Sequence, residues 1–304
     1  ASGACLLPMA PAYGAALVTV GMMSMGTALF HPQGTGKCGS SAGKNNLAFC
    51  ISLFAACGSF GSAIGPLYVV FMISLLGKTF FPLMLLPIFA ICLYIWHHTS
   101  APISTELLPQ DKADITGFIS NIKYLLSKVG GVVMMASLRD ATFQGIKIFL
   151  PMLIITRGGT IAAGGFSLFA ITLAGTAAGI AGGKLADTVG DERILIASMS
   201  VSPIFILAGL HTAGLLSLAL LMAGFALLQT SCPVTTAMAQ KRCPESRSTV
   251  SSLALGVSWG IANLCTTPVG FSAAIFGLAP PLTVVALFPW LATAHALIKK
   301  YSSR

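Results

Sequence analysis

Charge is what this sequence lacks most. Only 8% of its 304 residues are Asp, Glu, Lys or Arg, and just eight are acidic, whereas a soluble domain carries about 25% charged residues. Too few charges remain to coat a water-facing surface, so lipid must be the main solvent. Catalytic signatures are missing as well. There is no GxxxxGK[ST] loop and no HExxH, which argues against a nucleotide-driven pump and an intramembrane enzyme and calls for no cofactor. The eight cysteines form no CxxC pair and no metal spacing with His. They read as small packing residues rather than as a disulfide framework or metal site. A net charge of +9 does not point to nucleic acid, because the basic residues fall in short clusters between apolar runs instead of along one face. No signal peptide is evident: the chain opens ASGACLLPMAP, without a basic leader and with Ala in place of Met.

What the chain does have is apolar length. Nine segments reach the roughly 20 apolar residues that a bilayer requires: 11–31, 46–75, 79–97, 128–155, 161–187, 193–211, 214–240, 247–275 and 280–298. The links between them are short except at 99–127, a polar, charged stretch that separates three helices from six. Three domains follow: residues 1–98 as helices of one bundle, 99–127 as a cytoplasmic linker, and 128–304 as a six-helix bundle. Lys and Arg alternate accordingly. Lys37, Lys44, Lys112, Lys123, Lys128, Lys184, Arg193, Lys241, Arg242, Arg247, Lys299, Lys300 and Arg304 fall on one side, and Lys78 and Arg157 on the other. By the positive-inside rule, the first side and the C-terminus are cytoplasmic, in the inner (plasma) membrane.

The chain also repeats itself. Pro32 and Pro66 stand 34 residues apart, Pro233 and Pro268 stand 35 apart, and Gly58 and Gly260 each precede the second Pro of their pair by eight. Each pair brackets a basic turn. Internal repeats of this kind build secondary transporters. If the last six helices form one full repeat, three helices are expected before residue 1.

Two motifs carry a family resemblance. The fifth segment contains AGTAAGIAGGKLADTVGDER, in which Gly175, Gly179, Gly183 and Asp187 recur every four residues and make a stripe that admits close backbone approach. Its end, Gly183-Lys-Leu-Ala-Asp187-Thr-Val-Gly190-Asp-Glu-Arg193, resembles the signature loop of the major facilitator superfamily, with Asp191 where that family usually has a basic residue. The second segment contains GSFGSAIGP. Gly58, Gly61, Gly65 and Pro66 resemble the glycine–proline run of the superfamily's antiporters, a closely packed, kinked seam. The opening GTALFHPQGTG and the later SLRDATFQGIKIFLPMLI resemble the fosmidomycin resistance subfamily. The resemblance implies an all-α polytopic membrane protein: nine transmembrane helices of a 6+6 bundle lacking the first three, in which two bundles rock about a central site. It implies proton-coupled efflux of small drugs or metabolites. A sugar or organic-anion transporter, and a truncated scaffold that no longer transports, are the alternatives.

Candidate residues for a substrate or proton pathway are those that an apolar helix would not otherwise keep. Arg139, Asp140, Gln144 and Lys147 lie inside the fourth segment, and a charge near the bilayer centre costs roughly 2.5–3.5 kcal/mol. Asp140, Gln144 and Lys147 share one face, and Asp140 could serve as a proton carrier or pair with Arg139 or Lys147. His31, at the Pro that should end the first helix, titrates near neutral pH in its ordinary state. Trp259 and Asn263, one turn apart on the eighth segment, could line the same cavity. Phe143 and Phe149 read as packing. The expected partners are the bilayer, a small-molecule substrate and a proton; no metal or nucleic acid is expected.

Overall fold

The computed structural model describes residues 10–43, 45–76, 83, 85–99 and 115–302. Lys44, Lys78, Lys112 and most of the 99–127 stretch lie outside the described residues, as do the side chains of Gly65 and Pro66. Among the described residues there is no strand, and nine helical rods follow one another. They are α1 (Tyr13–Ser41), α2 (Leu47–Leu76), α3 (Leu85–Thr99), α4 (Ile115–Thr156), α5 (Ile161–Val189), α6 (Asp191–Leu210) and α7 (Gly214–Arg242), then α8 and α9. The rod α8 joins Arg247–Ser251, a π turn at Ser252–Val257, and Ser258–Phe276; α9 joins Ala279–Ala286 to Phe288–Ser302. Five of the nine (α1, α5, α6, α7 and α9) are long and apolar enough to cross a membrane along one stretch. The rod α4 carries charges in its middle, and α8 is interrupted by its π turn.

Two boundaries differ from the sequence expectation. Pro32 does not end α1: the helix runs through it to Ser41. The reason is packing. A Cβ on Gly36 would overlap Ser248, and one on Gly39 would overlap the Gln240 side chain, so the glycines read as a loop are helical positions pressed against α7 and α8. The second boundary is in the polar stretch, which is helical from Ile115 onward and forms the first turns of α4.

The chain divides into two compact units. One consists of Thr35–Ser59 and Gln110–Arg304; the other consists of Ala1–Gly34 and Phe60–Pro109. In the larger unit, α7 packs on both α5 and α6, while α4 packs on α8 and α9. Its apolar interior is split into two layers. One holds Leu47, Val129, Met135, Leu195, Val234 and Leu253. The other holds Ile146, Leu150, Ile171, Ile206, Phe225 and Leu282. Between them along α4, α6, α7 and α8 lie buried polar side chains: Arg139, Asp140, Ser202, Ser231, Thr235 and Ser258. In the smaller unit, the Tyr94 and His98 rings of α3 stack 4.2 Å apart. Half-buried His31 sits edge-on to Phe30, with ring centroids 6.2 Å apart.

Candidate functional site

The polar layer centres on Arg139, which is fully buried. Its guanidinium forks onto the neighbouring carboxylate, with Nε donating to Asp140 Oδ1 and Nη2 to Asp140 Oδ2, each at 2.9 Å. Nη1 reaches across to α7, donating to Thr235 Oγ1 at 2.6 Å and to Ser231 O at 3.3 Å. Thr235 in turn donates to Cys232 O at 3.0 Å. A planar fork with five N–H groups suits this arrangement in a way that an ammonium would not. Asp140 is held from its other side by α8, where Ser258 Oγ lies 2.8 Å from Oδ2 and 2.6 Å from Ala254 O. With Leu255 O at 3.1 Å, one hydroxyl proton thus has three acceptors within reach. The π turn immediately before Ser258 sets that position, and such turns recur at functional sites. Three helices are therefore tied by one buried, charge-neutral pair. Thr142 adds a fourth, donating to Val285 O of α9 at 2.7 Å.

Lys147 does not join this network. Its ammonium lies 5.2 Å from the centroid of the Phe143 ring, and Phe143 packs edge-on against Phe225 of α7 at 5.5 Å. Asp140 and Lys147, expected to share a face, are thus separated functionally, because the adjacent Arg139 takes both carboxylate oxygens. Gln144 is half-buried and Asn263 is exposed, as is Trp259. Phe149 packs on Gly270, whose Cβ would stand 3.2 Å from the ring.

The second constellation is at the basic end. Asp187, at the end of α5, accepts the amides of Ala48 (3.1 Å) and Phe49 (2.9 Å), the free N–H groups that open α2. A carboxylate there satisfies orphan donors and favours the positive end of the helix dipole. One turn earlier Gly183 leaves no room for a side chain, since a Cβ would stand 2.6 Å from Ala48 O. Gly190 caps α5 with φ of 108°, a left-handed value that favours glycine. Asp191 accepts from Lys241 Nζ through both carboxylate oxygens, at 3.0 and 2.9 Å, and the same ammonium lies 3.8 Å from Asp187 Oδ1. The departure from the signature is thereby absorbed, because the acid at 191 meets a base supplied by α7. Arg193 is exposed and lines a surface hollow of about 700 Å³ with Val189, Gly190 and Arg242, well away from the polar layer in sequence and on the helix ends.

Gln240, fully buried on α7, closes the same end. Its Nε2 donates to Thr35 O at 3.2 Å and to Ser251 Oγ at 2.9 Å, while Arg247 donates to Gly39 O.

The stripe on α5 is real but shifted. Gly175 and Gly182 are its tight positions against α7: a Cβ on Gly175 would stand 2.9 Å from Gln229 Cγ, and one on Gly182 would stand 2.6 Å from Thr230 O. Gly179 has ordinary room, at 3.6 Å. On α2, a Cβ at Gly58 or Gly61 would meet no described atom within 4 Å. Sequence reasoning missed Gln240, Ser231, Thr235 and Ser258. The available signal was a small polar residue recurring at helical spacing in an apolar run.

The Major Facilitator Superfamily profile matches residues 1–267. The chain belongs to that superfamily. It is a multi-pass membrane protein of a transporter family. The fosmidomycin resistance protein of Escherichia coli (strain K12) is 26% identical over 297 residues, covering 94% of this chain and 69% of that protein. The uncharacterized MFS-type transporter YfnC of Bacillus subtilis (strain 168) is 24% identical over 293 residues, covering 94% and 71%. Among solved structures, the E. coli fucose:proton symporter FucP matches at 15% identity with a TM-score of 0.74, over 98% of this chain and 80% of that one. A second FucP structure, in the outward conformation, matches over 98% and 79% with the same TM-score.

Proposed function

We propose that this superfamily member is a proton-coupled antiporter that exports a small drug or metabolite across the inner (plasma) membrane. In this reading the basic end and the C-terminus are cytoplasmic. Residues 1–98 belong to one bundle, 128–304 form the other, and 99–127 links them. The observation that carries the coupling is Asp140. It is a carboxylate in the middle of α4, 3% exposed, bound by a cation on its own helix and by a hydroxyl from α8. A relative shift of α4 and α8 would withdraw Ser258 from Asp140, and the Ser258 proton can then serve Ala254 O or Leu255 O of its own helix. The carboxylate would gain or lose a stabilising donor with each such shift, which is what a proton carrier in alternating access requires. The similarity to a protein named for fosmidomycin resistance supports export as the direction.

The test is expression of the complete coding sequence in a fosmidomycin-sensitive strain, with export measured in vesicles under an imposed proton gradient. Wild type should protect and should acidify or alkalinise with solute flux. Asp140→Asn should remove the proton dependence. Full proton-driven export by that variant would reject the coupling role. An absence of any gradient-driven flux in wild type with every solute tried would reject the transporter reading.

A further inference from the structure

The surface hollow at the basic end takes no part in the polar layer. Its walls come from the end of α5, the first turn of α6 and the last turn of α7. Five charged side chains line it: Asp191, Glu192, Arg193, Lys241 and Arg242. Two of them cancel, because Lys241 binds Asp191 through both carboxylate oxygens. The other three are not matched to one another. Among the described residues, no ion pair or hydrogen bond involves the side chain of Arg193 or Glu192. Arg242 makes one long donation, from Nη1 to Lys128 O at 3.4 Å, which leaves its other donors unused. Two arginines against one glutamate give the hollow a net charge of +1 and two open guanidinium forks. At about 700 Å³ it also falls within the range of roughly 300–1,000 Å³ typical of small-ligand sites.

The surfaces that lead to the hollow say what can reach it. On α5, Phe169, Leu173, Ala177, Ala181, Leu185 and Val189 are exposed. They recur every fourth residue and form one apolar stripe that ends in the hollow. On α6, exposed Arg193, Ala197, Val201 and Ile204 form a second stripe that begins there. From Arg193 to Ile204 the helix rises about 16 Å, and half of the hydrocarbon core is about 15 Å. The second stripe is therefore one leaflet deep. A molecule lying along these stripes with an apolar chain has its polar end in the hollow. We infer that the hollow holds the phosphodiester headgroup of an anionic phospholipid, whose acyl chains run along α5 and α6. Arg193 and Arg242 donate to the phosphate oxygens, for which a planar fork is the better shape than an ammonium. One phosphodiester charge neutralises the +1 of the hollow, whereas a zwitterionic headgroup leaves it. Glu192 remains beside the phosphate as an acceptor for a headgroup hydroxyl. In the sidedness proposed above, this lipid belongs to the cytoplasmic leaflet; its binding does not depend on the export reading.

The experiment uses the full chain purified in detergent. Melting is followed with increasing dioctanoyl-phosphatidylglycerol, dioctanoyl-phosphatidylethanolamine, glycerol 3-phosphate or inorganic phosphate, each variant being read against its own ligand-free melting. The anionic lipid should stabilise wild type saturably at concentrations where the other three do not. Arg193→Gln and Arg242→Gln should each weaken its apparent affinity about fivefold, the scale of one basic contact with an anionic headgroup. Glu192→Gln keeps an acceptor oxygen and removes a like charge, so it should hold or raise the affinity. Lys184 is an exposed cation at the same end that does not line the hollow, and Lys184→Gln should leave the affinity unchanged. Equal stabilisation by phosphatidylethanolamine would overturn the charge match. Equal stabilisation by glycerol 3-phosphate or inorganic phosphate would make this a site for a soluble phosphate and overturn the lipid. An affinity unchanged in both arginine variants, or a loss in Lys184→Gln as large as theirs, would reduce the effect to diffuse surface attraction and overturn the site.

Discussion

The carboxylate of Asp187 accepts the backbone amide of Phe49 at 2.9 Å, although 138 positions separate the two residues. One helix thus supplies the N-terminal cap of another, and the loop signature is a joint between α5 and α2 rather than an isolated turn. Asp187→Ala should cost about 1–2 kcal/mol, the upper range for loss of a cap with its dipole contribution. Asp187→Asn, which keeps one acceptor oxygen, should cost less. Cys38, whose Sγ donates to Cys50 O at the same end, provides the readout. Site-resolved alkylation at Cys38 should accelerate in Asp187→Ala, and an unchanged rate together with unchanged melting would show that the cap does not hold this end shut.

The α5 stripe predicts opposite outcomes for two neighbouring glycines. Replacing a mid-helix Gly by Ala gains about 0.5–1 kcal/mol in backbone entropy if there is room. Gly179→Ala has room and should melt at or slightly above wild type. Gly182→Ala would set a methyl 2.6 Å from Thr230 O, a backbone atom that cannot swing aside, and should melt clearly lower. Similar melting for both would mean that α5 and α7 do not pack at this distance.

The Arg139–Asp140 pair predicts non-additivity. Removing either partner leaves an unpaired buried charge, at a cost of about 3–5 kcal/mol. The double variant Arg139→Met, Asp140→Leu should recover much of that loss. Thermal melting of the two singles and the double closes the cycle. A double variant no better than the sum of its singles would show that the pair's ties to Thr235 and Ser258 matter more than the charges.

The sidedness proposed for the chain predicts that single cysteines at Lys184 and Lys241 label from the cytoplasm and one at Arg157 labels from outside. The background would lack accessible native cysteines. External labelling at 184 or 241 by an impermeant reagent would reverse the orientation.

The helical rods were legible because apolar length is a composition signal that no packing detail can erase. The end of α1 was not. His31-Pro32 followed by three glycines has the local chemistry of a stop, and only contact with Ser248 and Gln240 reveals those glycines as helical positions. The start of α4 was hidden for the converse reason, since ITGFISNIKYLL is polar enough to pass for a link yet keeps helical spacing. At the polar layer, the charges at 139 and 140 announced themselves, whereas their hydroxyl partners did not. Ser231 and Ser258 each also bond a carbonyl of their own helix, as serines in membrane helices commonly do, so their spacing to other small polar residues was the one local signal they gave.

The π turn at Ser252–Val257 bears on the repeat. Nine residues separate Pro32 from the last residue of α1, Ser41, and nine separate Pro233 from the last residue of α7, Arg242. Gly58 and Gly260 likewise keep the same distance to the prolines that follow them. The one residue by which the second copy exceeds the first therefore falls between Arg242 and Gly260, the stretch that contains the π turn. A π turn is where a helix accommodates a surplus residue without turning its far end onto another face. The duplicated halves have thus drifted out of step by one residue, and α8 stores the difference as a bulge. Excision of a single residue from Ser252–Val257 should be the one deletion in α8 that preserves the facing of both flanks, giving a plain α-helix whose Gly260–Pro268 register matches that of the first copy.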